Sequence, residues 1–101
     1  MNVSALYHRE TEAQFMASVV RYAELMGWRC YHPHDSRRSR AGFPDLVMVR
    51  RPRVIFAELK SERGKLSRDQ FDWLGALDQC GQEVYVWKPS QWKSLEKILA
   101  R

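Results

Sequence analysis

The run Leu46-Val47-Met48-Val49-Arg50-Arg51-Pro52-Arg53-Val54-Ile55-Phe56-Ala57-Glu58-Leu59-Lys60 holds two apolar segments on either side of an arginine and proline break. Leu46 to Val49 and Val54 to Lys60 have strand composition and strand length, and Arg51-Pro52-Arg53 is turn chemistry, so the stretch reads as a β-hairpin. A strand turns alternate side chains to opposite faces, so Glu58 and Lys60 share the face of Val54 and Phe56, which is expected to be the apolar one.

The elements on either side of this hairpin follow from their punctuation. Downstream, Gly64 breaks the chain and Ser67-Arg68-Asp69-Gln70 forms a capping box, in which serine and glutamine side chains satisfy the first free N–H groups of a helix. The stripe of that helix is read through Phe71, Leu74 and Leu77, with its end before Gly81. Glu83 to Trp87 is a further strand, and Pro89-Ser90 resets the chain before a short helix carrying Trp92, Leu95, Ile98 and Leu99. Upstream, Phe15, Met16, Val19, Val20, Ala23 and Met26 are spaced for one face of a helix that Gly27 stops. Thr11-Glu12-Ala13-Gln14 caps it and puts Glu12 at the first helical position, although a start from Ser4 is also compatible. Trp28 to His32 reads as a short strand and Pro33 to Phe43 as an exposed arginine-rich loop. The order αβββαβ with a short C-terminal helix predicts an α/β fold, a mixed four-stranded sheet flanked by helices, in one domain spanning residues 1–101.

Composition narrows the class. In 101 residues, a 45% hydrophobic share with four Trp excludes a disordered chain, and no apolar run approaches the roughly 20 residues of a membrane span. Met1 to Glu10 has no apolar signal core, and Cys30 and Cys80 lie far apart without CxxC spacing, so a soluble protein of the reducing cytoplasm is expected. Lys and Arg number 17 against 12 acids, and the whole excess of +5 falls between Arg29 and Arg53, where seven arginines face Asp35 and Asp45. Arginine without lysine suits bidentate phosphate recognition, which points to a nucleic-acid partner.

The chemistry-bearing residues converge on the hairpin. With the turn at Arg51-Pro52-Arg53, Asp45 is expected to pair near residue 59 or 60, which brings the carboxylates of Asp45 and Glu58 toward one point with Lys60 beside them. Two carboxylates suit Mg²⁺, which keeps waters for a substrate phosphate to displace, and the implied reaction is phosphodiester hydrolysis. Glu12 falls in line with Phe15, Met16, Val19 and Ala23, so an inward carboxylate with a direct or water-mediated cation contact is expected there.

The order Pro44-Asp45 followed by Glu58-Leu59-Lys60 resembles the PD-(D/E)xK nuclease superfamily. Gly42-Phe43-Pro44-Asp45-Leu46, Glu58-Leu59-Lys60, then Gly64-Lys65-Leu66-Ser67 and Gln70 are similar to the VRR-NUC branch, over roughly Glu12 to Trp87. That resemblance implies a metal-dependent, structure-selective DNA nuclease of phage or bacterial type, related to Holliday-junction resolvases. It implies Asp45, Glu58 and the backbone carbonyl of Leu59 as metal ligands, with Glu12 matching an acidic residue of the first helix. Lys60 would orient or deprotonate the attacking water, and Gln70 would support the site. Arg37, Arg38, Arg40 and Ser67 are the expected DNA contacts. Mg²⁺, with Mn²⁺ as a substitute, is the implied cofactor. A homodimer on branched DNA is the implied assembly, with Tyr85, Trp87 and the last helix as candidate interface residues.

Other readings compete with this one. A flap nuclease is the near alternative, and a non-catalytic DNA-binding or architectural protein is the alternative of another class. Cys30, His32 and His34 alternate as zinc ligands would, yet they supply at most three ligands with Pro33 between the histidines. The four Trp residues sit in strand and helix patterns and are assigned to packing.

Overall fold

The computed structural model describes residues 10–33 and 41–101. Helix α1 (Glu12–Leu25) leads to strand β1 (Arg29–Tyr31), the hairpin β2 (Leu46–Arg50) and β3 (Arg53–Leu59), helix α2 (Arg68–Gln79), strand β4 (Glu83–Trp87), a 3₁₀ turn at Pro89–Gln91 and helix α3 (Trp92–Ala100). The four strands form one sheet in the order β1-β2-β3-β4, with β1 and β2 antiparallel, β2 and β3 antiparallel, and β3 and β4 parallel. This is the mixed sheet flanked by helices that the sequence predicts. Among the described residues no helix is long and apolar enough to cross a membrane.

Both capping boxes form. Thr11 Oγ1 accepts from the Gln14 N–H at 3.1 Å while Gln14 Oε1 accepts from the Thr11 N–H at 2.9 Å. Ser67 and Gln70 repeat the arrangement at 3.1 and 2.8 Å. Each box satisfies two otherwise orphaned donors, which starts α1 at Glu12 and α2 at Arg68.

The two faces of the sheet are unequal. Phe15, Val19 and Ala23 of α1, with Leu95 and Leu99 of α3, pack against Leu46, Met48, Ile55, Ala57, Leu59 and Trp87 to form the core. The core face of β3 is therefore Ile55, Ala57 and Leu59, whereas Val54 is 37% exposed and Phe56 half-buried, which corrects the assignment of Val54 and Phe56 to the main apolar side. Glu58 lies with Val54 and Phe56 on the second face. There α2 and the loop before β2 form a smaller cover, with the Phe43 ring set edge-on against Phe56 at 6.2 Å and Trp73 at 5.1 Å. Phe71 is 67% exposed and does not belong to the buried stripe of α2. That stripe runs through Gln70, Trp73, Leu74 and Leu77, because the turn nearest the hairpin directs Gln70 inward to a polar partner.

The hairpin turn is two residues long. Arg50 pairs with Arg53 and Leu46 with Ala57, so continuing the register sets Asp45 opposite Glu58 rather than residue 59 or 60. A one-residue slip would have put the two carboxylates on opposite faces.

Arg50 and Arg53 serve the fold. Their guanidinium carbons lie 4.5 and 4.9 Å from the centroid of the buried Trp28 ring, whose Nε1–H donates to the Leu99 carbonyl at 2.8 Å. Arg50 also donates to the carbonyls of Met26 and Leu99, closing the C-terminal ends of α1 and α3. Arg53 forms a two-pronged pair with Glu83 at 3.0 and 2.6 Å. Two of the seven arginines in the basic stretch are thus occupied internally, and the charge excess overstates what is offered to a polyanion. Of the candidate interface residues, Trp87, Leu95 and Leu99 are buried in the core, whereas Tyr85, stacked on Trp87 and hydrogen-bonded to Glu83, is half-buried, as are Trp92 and Ile98.

Candidate active site

The site forms where the β2–β3 hairpin meets the first turn of α2. Buried Pro44 favours an extended Phe43 and delivers Asp45 to the head of β2. Gly42, at φ +86°, turns the loop so closely against α2 that a Cβ there would stand 2.5 Å from the Asp69 carbonyl carbon. The loop carrying Asp45 and the helix carrying Gln70 are thereby held in contact.

Asp45 Oδ2 accepts from the Leu59 N–H at 3.2 Å, extending the hairpin ladder with a side chain. Opposite it, Glu58 is 1% exposed and is the one buried charged residue among those described. Its Oε2 accepts from Gln70 Nε2 at 2.9 Å and lies 3.6 Å from Lys60 Nζ, while Oε1 is fully buried without a hydrogen-bond partner. Gln70 therefore divides its amide, the oxygen closing the capping box and the nitrogen fixing Glu58. The cap contact and the contact with Glu58 coexist in one rotamer.

Burial, and then the neighbouring Asp45 charge, push the Glu58 carboxyl up to about 8, against the opposing pull of Lys60. An unpaired buried carboxylate oxygen beside a second carboxylate is costly as it stands and is relieved by a cation. The donor set, all oxygen with one ammonium at its edge, fits a hard divalent ion.

Glu58 also makes stability depend on pH. Its folded value lies above the ordinary 4.5, so the folded state retains a proton that the unfolded chain loses first. The contribution is complete below pH about 4.5 and disappears as pH rises through about 8, on the order of a few kcal/mol in total. Thermal melting without divalent ions should show a falling midpoint across that window. Added MgCl₂ should raise the midpoint little at the acid end and increasingly toward pH 8, because proton and cation compete for the same oxygens. An equal Mg²⁺ effect at both ends would separate cation binding from Glu58.

A cleft of about 500 Å³ opens over the pair, lined by Glu12, Tyr31, Gly42, Asp45, Glu58 and Gln70. Glu12 reaches this cleft from α1 but is exposed, and no group of three or more Asp, Glu, His or Cys among the described residues is close enough to hold a metal. Glu12, expected to point inward, instead stands exposed on the wall of the cleft that holds Asp45 and Glu58. A second cleft of about 630 Å³ shares Glu12 and Asp45 and continues along α1 past His32. Ser67 is exposed at its cap, and His34, Arg37, Arg38 and Arg40 lie outside the described residues. Burial, with Glu24 nearby, pushes the Cys30 thiol up to about 11, so it stays protonated at neutral pH. Sequence reasoning missed Tyr31 and the close approach at Gly42; the ring on an alternating strand was a visible signal, whereas the contact of Gly42 with Asp69 was not.

A family model described as the VRR-NUC domain matches residues 5–91 of the chain. A solved structure described as a VRR_NUC domain superposes with a TM-score of 0.63 at 25% sequence identity, over 82% of this chain and 91% of that one. Among curated proteins no significant match is found.

Proposed function

The chain belongs to the VRR-NUC family, nucleases of the PD-(D/E)xK type, and from that premise we propose that it is a metal-dependent, structure-selective DNA endonuclease that resolves Holliday junctions as a homodimer. The observation that carries the chemistry is the buried, unpartnered Oε1 of Glu58 facing Asp45 across the hairpin. Asp45 and Glu58 would hold the cation, with the Leu59 carbonyl and Glu12 as further oxygen donors. Mg²⁺, or Mn²⁺ in its place, supplies a Lewis acid that polarises the phosphate and makes water acidic enough to attack near neutral pH.

The protein's own groups do the remaining work. Lys60, 3.6 Å from Glu58 Oε2, either orients the attacking water and balances charge gathering on the phosphate oxygens as an ammonium, or takes up the water's proton from its neutral amine form. Gln70 holds the Glu58 rotamer, so the carboxylate need not reorganise during reaction. Arg37, Arg38, Arg40 and Ser67 are assigned to the DNA backbone, where they position without reading sequence. One such site cuts one strand, and a two-fold dimer presents the second site that a four-way junction requires.

The test is cleavage of labelled four-way junction, flap and linear duplex DNA with Mg²⁺ or Mn²⁺ by the wild type and Lys60→Ala. Paired nicks across the junction are expected, abolished by EDTA and slowed at least about 10²-fold in Lys60→Ala with binding retained. Sedimentation should give a dimer. Flap cutting by a monomer would replace the resolvase assignment with a flap nuclease. Binding without cleavage of any substrate would overturn the enzyme and leave an architectural DNA-binding protein.

A further inference from the structure

On the second face of the sheet, beside the carboxylates, stands an aromatic ring that the fold does not use. Tyr31 is 67% exposed at the end of the edge strand β1 and is the only tyrosine among the described residues with neither a ring contact nor a hydrogen bond. It pairs with Val47, which pairs with Phe56, so the three share the face on which Glu58 lies one pleat further along. Two strand spacings and one pleat separate Tyr31 from Glu58, roughly 12 Å. The ring also lines the same cleft as Asp45, Glu58 and Gln70.

Its surroundings fit a nucleotide better than a buried partner. Arg29 is exposed two residues earlier on the same face, and Val49 and Val54, opposite one another in the next two strands, are 38% and 37% exposed. An aromatic ring, a flanking guanidinium and a shallow apolar surface form the platform on which an unstacked base lies while its phosphate is held alongside.

We propose that Tyr31 stacks on an unpaired base next to the phosphate that a cation on Asp45 and Glu58 would engage, and so selects DNA with an exposed base over intact duplex. This rests on the nuclease assignment for the position of the scissile phosphate. In a paired duplex both faces of each base are already stacked, and extrusion costs free energy that a branch point or single strand has already lost. The ring therefore contributes to binding of branched or unpaired DNA and adds little on duplex.

The probe is DNA carrying 2-aminopurine as an unpaired base, scanned over the first few positions either side of a branch point, with matched fully paired duplex as control. Without added divalent ion, wild type and Tyr31→Phe should quench the probe at one position, and Tyr31→Ala should not. Affinity of Tyr31→Ala for the unpaired substrate should fall roughly 5- to 100-fold, against less than about 2-fold for duplex. With Mg²⁺ the loss should appear in KM with kcat nearly unchanged. Quenching that survives in Tyr31→Ala, or an equal loss on duplex, overturns the stacking role while leaving cleavage intact. Quenching by a wild type that cuts none of the substrates would instead retain the base platform and remove the nuclease assignment.

Discussion

Glu58→Gln is expected to be more stable than the wild type and nearly inactive. The substitution keeps the shape of the side chain and an oxygen for the Gln70 amide, and it removes the buried charge opposite Asp45. Because burial and Asp45 push Glu58 up to about 8, the wild type bears the cost of retaining a proton between about 4.5 and 8, and of a buried charge above that, and the variant bears neither. Metal-free melting at pH about 8 should therefore show a gain of roughly 1–3 kcal/mol, which shrinks to nothing by pH about 5. Cleavage should fall about 10³-fold or more, the scale expected when several kcal/mol of charge stabilisation at the phosphate is lost. The stabilisation by Mg²⁺ should vanish together with activity. A variant that melts lower than the wild type at pH 8 would show that the Glu58 charge is already well compensated inside the protein. Stability gained where function is lost is the signature of a group kept for chemistry.

Gly42→Ala should destabilise the fold strongly, because two separate costs meet at this residue. Its φ of +86° is strained for any L side chain, and the added Cβ would stand 2.5 Å from the Asp69 carbonyl carbon and 2.6 Å from its oxygen, so backbone must move. Gly81→Ala separates the two, because Gly81 has a φ of +79° and open space around its missing Cβ. Gly81→Ala should cost about 1 kcal/mol, and Gly42→Ala about 3 kcal/mol, a fall in melting temperature of roughly 12–24 °C. Gly42→Ala should also lose about 10²-fold in cleavage at temperatures where it remains folded, since the loop that shifts carries Asp45 and the helix it shifts against carries Gln70. Equal destabilisation by the two substitutions would reduce the role of Gly42 to its backbone angle alone.

Those features that depend on near neighbours in the chain were legible in the sequence. Capping boxes are three-residue relations, so Thr11 with Gln14 and Ser67 with Gln70 could be read directly, and both form. Proline and arginine between two apolar runs marked the hairpin. The group of Asp45, Glu58 and Lys60 followed from strand alternation and one turn, Gln70 was added to it by the family resemblance, and the folded chain brings the four together. The errors have physical causes as well. An uncertainty of one or two residues in the turn moved the partner of Asp45 from Glu58 to residue 59 or 60, and alternation converts a one-residue slip into a change of face. Val54 and Phe56 were placed on the main core side because alternation in a strand apolar on both faces does not say which face is better covered. Charge counting could not show that Arg50 and Arg53 are turned onto Trp28 and helix carbonyls.

By itself, then, the sequence determined the order of elements, the hairpin and the placing of Asp45, Glu58 and Lys60 in one candidate site. These follow from local backbone preference and side-chain chemistry, which act over a few residues. Only the tertiary structure decided that Glu58 is buried with one oxygen unpartnered, that Gln70 joins helix cap to carboxylate, and that Gly42 locks the Asp45 loop onto α2. It also left Tyr31 uncovered beside the cleft. Burial, electrostatic coupling and close packing are properties of surfaces brought together from distant parts of the chain, and no local pattern contains them.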